Sequence, residues 1–190
     1  MPFLPKSRER YFAALRNYIH LSVNRSGISL KHCELYRKII LAEIFCLERK
    51  KEPADIIRIT DSVLGAAVIL LLRKGIWLST ELGGKGTYML DIKNYTALLL
   101  EICRGCKTDG CKITVKAKES AAYIVSEGGE CTKTLEQLAK RMGAVLFKLT
   151  AEKKTALKIA LNESDLPAVP FLEDWQLVTD RLSQARVFLC

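Results

Sequence analysis

From Pro53 to Leu161, strand-length and helix-length apolar segments alternate, and most are bounded by a helix-capping residue or a glycine. That rhythm points to helices layered on a sheet, and away from an all-helical bundle or an all-β barrel. Ile56–Ile59 predicts a short strand, after which Asp61 is expected to cap an apolar helix that stops at Gly75. Ile76–Leu82 and Thr87–Leu90 read as strands joined through Gly83-Gly84-Lys85-Gly86, whose plain reading is a hairpin turn. Asp91 is placed to cap the next helix, with Leu98, Leu99, Ile102 and Cys106 on its buried side. Cys111–Ala117 with Ala122–Val125, and Ala144–Leu149 with Thr155–Leu161, predict two hairpins. Between them Gly128-Gly129 is a loop, and Leu135–Met142 is a helix closed by Gly143. The expected domain is a two-layer α/β sandwich over residues 53–162 with a mixed, mostly antiparallel sheet, in a chain of α+β class.

Two amphipathic helices precede it. Phe12, Leu15, Ile19 and Val23 form one stripe that ends at Gly27. Leu35, Ile39, Ala42 and Cys46 form a second after a Ser29 cap, running out at the charged stretch before Pro53. Residues 1–52 therefore predict a helical hairpin, and two helices alone cannot bury both stripes. Either the sandwich or a second copy must cover them. Residues 163–190 are acidic (Glu163, Asp165, Glu173, Asp174 and Asp180 against Arg181 and Arg186) and are expected to fold back on a basic body.

The net charge is +9, but the Lys and Arg residues carry no aromatic-interleaved motif, so nucleic acid is not an expected partner. The greasiest run, Val63–Leu72, falls short of the roughly 20 apolar residues a membrane span needs. Seven scattered cysteines without an export signal fit reduced thiols in a cytoplasm.

Several segments resemble the core of bacterial sensor histidine kinases over residues 9–162. Ala13-Ala14-Leu15-Arg16-Asn17-Tyr18-Ile19 is similar to the phosphoacceptor box His-Glu-Leu-Arg-(Thr/Asn)-Pro-Leu. Ile44 to Arg49, followed by Pro53, Asp55 and Val63, is similar to the family's exit from its dimerisation hairpin. Arg73-Lys74-Gly75-Ile76-Trp77-Leu78 looks like the helix-to-strand step, and Asp91 through Cys103 looks like the start of the ATP-site helix. Leu138 through Ala144 looks like the closing helix and its turn. The resemblance implies a histidine-kinase-like ATPase domain behind a hairpin that dimerises as a four-helix bundle. Phe12, Leu15, Ile19, Leu35, Ile39 and Ala42 would then lie in the seam.

The departures imply loss of catalysis. Ala13 and Ala14 replace the phosphoacceptor histidine and its acid. His20, two turns on, is the one stand-in, though Leu21 follows it in place of an acid. Gly105 replaces the Asn that holds Mg²⁺ and phosphate. Glu101, a turn earlier, is a candidate general base, or simply a solvated side chain. The adenine-reading Asp-x-Gly-x-Gly aligns with Ser126, Glu127, Gly128, Gly129 and Glu130, so serine replaces the aspartate. Only Cys131–Thr134 separate that motif from the closing helix, leaving no room for an ATP lid. No cofactor is expected.

Cys103-x2-Cys106-x4-Cys111, with Cys131 beyond, is the rival constellation, since thiolates so spaced can hold zinc or an iron–sulfur cluster. Without a second tight pair, buried packing is the plainer reading. The function expected is a non-catalytic regulator that dimerises and contacts a response regulator or kinase in a two-component or sporulation-type pathway. Its alternatives are a phosphotransferase using His20 and a cysteine-based metal sensor.

Overall fold

The computed structural model describes residues 5–107, 110–149, 152–172, 174–180 and 182–189. Helices α1 (Pro5–Ser26) and α2 (Leu30–Cys46) come first. Then follow β1 (Glu52–Asp55), α3 (Ile56–Leu72), β2 (Leu78–Gly83), β3 (Thr87–Leu90) and α4 (Ile92–Arg104). The rest of the sandwich is β4 (Cys111–Lys118), β5 (Ala121–Glu127), α5 (Lys133–Met142), β6 (Val145–Leu149) and β7 (Lys154–Ala160). Two short helices, α6 (Asp174–Thr179) and α7 (Gln184–Leu189), end the described chain.

The main sheet runs β2-β4-β5-β7-β6, with β2 parallel to β4 and every other pairing antiparallel. One face carries Ile113, Val115, Ile124, Leu157 and Ile159, all buried, and the helical layer covers it. Mixed α+β architecture with a five-stranded sheet thus stands as the alternation of segments implies.

Two local expectations fail for identifiable reasons. Ile56–Ile59 is not a strand: Asp55, not Asp61, is the cap, its carboxylate accepting the N–H groups of Ile57 (3.1 Å) and Arg58 (3.0 Å). The helix therefore begins six residues earlier, and Ile56 and Ile59 belong to its buried stripe. Thr60 on that helix meets Tyr95 of α4 hydroxyl to hydroxyl at 2.6 Å, closing the α3–α4 contact in the core.

Gly83–Gly86 is not a hairpin turn either. β3 pairs antiparallel with β1 in a separate two-stranded sheet, while β2 lies on the edge of the main one. The glycines carry the chain from one sheet to the other. Gly84 has φ +107°, and a Cβ there would sit 2.1 Å from the Ala117 carbonyl oxygen, so no side chain fits.

The tail folds back on the body, but through apolar contacts. Val169 donates its N–H to Pro53 O (2.8 Å), and Ser164 donates to Thr87 O (2.9 Å), tying the tail to the β1–β3 pair. Leu177, Val178, Leu182, Val187, Phe188 and Leu189 are then buried against α3, α4 and α2. Among the acidic and basic residues expected to drive this, Glu173 and Arg181 lie outside the described residues. Among the described residues no helix is long and apolar enough to cross a membrane.

Candidate functional site

Helix α4 sets the site. Asp91 caps its N-terminus by accepting the N–H of Asn94 at 3.1 Å, and Gly105 ends it. Ten residues further along from Asp91, Glu101 is fully buried, yet its carboxylate is saturated. Oε2 accepts from Arg37 of α2 at 2.9 Å; Oε1 accepts from Arg104 at 3.1 Å and from the Thr132 hydroxyl at 2.9 Å. Thr132 is itself the cap of α5 through Leu135 N–H (3.1 Å). Arg37 also stacks over the ring of Phe188 in α7 at 5.4 Å. Glu101 is thus neither solvated nor a free base. It is a clamp that fastens α2, α4, the start of α5 and the C-terminal helix together.

The positions aligned with nucleotide-binding residues close on one another. At Gly105 a Cβ would lie 2.4 Å from Glu130 O, and Glu130 donates its N–H to Gly105 O at 3.0 Å. Cys106 and Gly129 form a β-bridge alongside. Ser126 is buried, and a Cβ on Gly129 would come within 3.2 Å of its hydroxyl. Glu127 stays outside, paired with Lys154 at 2.9 Å, whose hydrogen bond and charge hold its carboxyl below the usual range. Lys107 and Glu130 bridge at 2.5 Å over the outside of the junction. Residues 128–132 pass directly from β5 into α5.

Cys103, Cys106 and Cys111 gather at the same end of α4, each at most 2% exposed. Cys106 donates its thiol to Ile102 O at 3.7 Å and Cys111 to Gly128 O at 3.4 Å. Burial pushes the Cys103 thiol up to about 12, and burial together with the neighbouring thiols pushes Cys106 up as well. Among the described residues no three His, Cys, Asp or Glu side chains are arranged to share a metal ion. Thiols held protonated this way are poor nucleophiles. Native protein treated with iodoacetamide should therefore modify the exposed Cys46 fast, and Cys103 and Cys106 only after denaturant is added. Rapid loss of all three in buffer would contradict the packing role.

On α1, His20 is exposed, its Nε2 3.2 Å from the Tyr36 hydroxyl and its ring edge-on to the tyrosine at 5.6 Å. Phe12, Ile19 and Ile39 of the anticipated seam are buried within the single chain, and Leu15 and Ala42 pack against the core. Leu35 remains 47% exposed. Sequence reasoning missed Arg37, whose partner lies 64 residues away. It also missed Glu43, which accepts from Arg16 and, at 2.7 Å, from Lys93, pinning α1 and α4 to α2. A buried-face position held by a charged residue was the only available signal for either.

No family model matches the sequence, and no curated protein matches it. Solved structures do. The histidine kinase AdeS of Acinetobacter baumannii superposes with TM-score 0.53 at 13% identity, over 82% of this chain and 98% of that one. A histidine kinase from Burkholderia phymatum gives 0.46 at 13% identity, over 81% and 93%. The likeness to AdeS shows that the chain has the fold of a histidine-kinase core.

Proposed function

We propose that this chain is a degenerate kinase-like regulator that catalyses no phosphotransfer. It acts by self-association and protein contact on a response regulator or kinase of a two-component or sporulation-type pathway. The observation that supports the reading is the closed junction between Gly105 and Glu130, at the positions that the sequence resemblance aligns with nucleotide-binding residues. The saturated Glu101 carboxylate supports it, since no base is left over at the site. In this reading residues 1–52 are the dimerisation unit, 53–162 the ATPase-like sandwich and 163–190 a tail that holds the two together.

The dimer seam follows from what one chain leaves uncovered. Tyr11, Tyr18 and Leu21 on α1 are 62%, 69% and 58% exposed, and Leu35 and Phe45 on α2 are 47% and 37% exposed. Positions 11, 18 and 21 share one helical face, turned about 130° around the helix from buried Phe12, Ile19 and Val23. Packing two such hairpins as four helices would bury that face. Sedimentation equilibrium at micromolar concentration should show a dimer. Tyr18→Asp should yield a folded monomer, whereas Ile19→Asp should unfold the chain. A wild-type monomer at that concentration would reject the dimer.

A second reading rests on His20, whose imidazole is exposed and oriented by Tyr36. Transfer of radiolabel from a phosphorylated response regulator to wild type but not to His20→Gln would favour a phosphotransferase instead.

A further inference from the structure

Strand β6 is one edge of the main sheet, and no described strand pairs with its outer side. Its alternation sends Val145, Phe147 and Leu149 to the face opposite the helices, where they are 52%, 60% and 54% exposed. The register sets what surrounds them. Phe147 stands beside Ala156, and Ala156 beside Val125, making an apolar row. Val145 stands beside Lys158 and Leu149 beside Lys154, so lysines flank that row on both sides. Next to the same edge lies a cleft of about 460 Å³ whose walls include Lys148, Lys153, Lys154 and Leu149. Residues 133–158 hold seven basic side chains against two acidic ones, five of the chain's nine net positive charges.

An exposed apolar cluster set among cations calls for an occupant that is both anionic and greasy. A peptide strand added to this edge would pair with the β6 backbone in the plane of the sheet and leave the Val145, Phe147 and Leu149 face open to water. Single-stranded nucleic acid needs a run of stacking platforms, but Phe147 is flanked by aliphatic Val145 and Leu149, and the other exposed ring on this face, Tyr123, has the Lys158 ammonium over it at 5.7 Å. A second copy would bring lysines against lysines. An acidic bilayer surface accepts apolar protrusions and cations together and demands no shape complementarity.

We propose that the β6 edge docks the chain on an anionic phospholipid surface. Val145, Phe147 and Leu149 enter the boundary of the acyl layer, and Lys153, Lys154 and Lys158 meet headgroup phosphates. Lys154 is engaged by Glu127 in a surface pair, which contributes little and exchanges readily for phosphate.

The test is co-sedimentation of the full chain with phosphatidylcholine vesicles, with and without phosphatidylglycerol. Binding is expected only with phosphatidylglycerol, and it should weaken as salt rises. Phe147→Ser and the double change Lys153→Glu, Lys154→Glu should each weaken it about tenfold or more. Urea midpoints are measured beside binding and should stay close to wild type: Phe147 and Lys153 are exposed, and half-buried Lys154 gives up only its surface pair with Glu127. Trp77→Ser, exposed beside β2 at the other edge of the sheet, should leave vesicle binding unchanged. Equal binding to phosphatidylcholine alone, or no loss in either β6-edge variant, overturns the proposal. So does displacement by millimolar glycerol phosphate, which would mark a soluble phosphate ligand. Binding of a single-stranded oligonucleotide without vesicle binding overturns it too, as does a solution dimer abolished by Phe147→Ser in a chain that ignores vesicles.

Discussion

Glu101→Ala should cost about 3–5 kcal/mol of folding stability, the magnitude expected when one partner of a buried ion pair is removed. The loss is large because the alanine variant strands Arg37, whose side chain is only 15% exposed and which has lost its anion. It also frees the Thr132 hydroxyl, which then caps α5 without its second partner. Arg104 contributes far less. Its side chain is 45% exposed, so water replaces the carboxylate, and Arg104→Ala should cost within about 1 kcal/mol. The double variant Arg37→Ala, Glu101→Ala should be less damaged than the sum of its parts, because no lone charge remains buried; a coupling of about 1–3 kcal/mol is expected. Urea unfolding of wild type, Arg37→Ala, Glu101→Ala and the double variant measures the coupling, with Arg104→Ala run beside them. If Glu101→Ala lies within 1 kcal/mol of wild type, the clamp is not what joins the hairpin to the sandwich.

That clamp shows where legibility in the sequence stopped. Periodicity carried the sheet, the helices and most of their order because alternation and 3.6-residue stripes are local signals. The Asp91 and Gly143 boundaries are equally local, being capping chemistry, whereas the Thr132 cap starts α5 at Lys133, two residues before the expected Leu135. Asp55 was passed over for Asp61 because both precede apolar runs, and only the β1–β3 pairing decides that Pro53–Asp55 is strand and Ile56 is helix. The Gly83–Gly86 segment misled for the same reason: a glycine-rich link between two strands has the composition of a hairpin whether or not the strands pair. Glu101 was visible as a candidate from its position, but its neutralisation by Arg37, Arg104 and Thr132 depends on three separate elements. No window of sequence contains that information. The tail likewise read as electrostatic from its acids, while its docking is carried by Leu177, Leu182 and Phe188, apolar residues spread too thinly to make a stripe.

On the proposed reading, the protein should show no saturable Mg-ATP or ADP binding below millimolar concentration, and Gly105→Asn should not create any. A charged hydrogen-bond partner is worth about 1.5–3 kcal/mol, so in the proposed reading Ser126 at the position aligned with the family's adenine-reading carboxylate is by itself a loss of tenfold or more. Gly105, aligned with the metal-holding asparagine, adds a second such loss in that reading, and together they carry a micromolar site to millimolar or weaker. In an open cleft, Gly105→Asn would recover part of this. Here it cannot, because its Cβ would lie 2.4 Å from Glu130 O in a backbone contact that also bonds Glu130 N–H to Gly105 O. Either the asparagine forces residues 128–132 away from α4, unseating Thr132 from Glu101, or the helix end unwinds. Overpacking of this kind costs about 1–3 kcal/mol, and the clamp's loss comes on top. Gly105→Asn should therefore fold less stably than wild type and still fail to bind nucleotide. Isothermal calorimetry with Mg-ATP and ADP up to millimolar levels, alongside urea unfolding, reads both halves. Saturable binding by wild type tighter than about 100 µM, equivalent to about 5.5 kcal/mol, would show the junction opening to admit nucleotide and would overturn the non-catalytic reading.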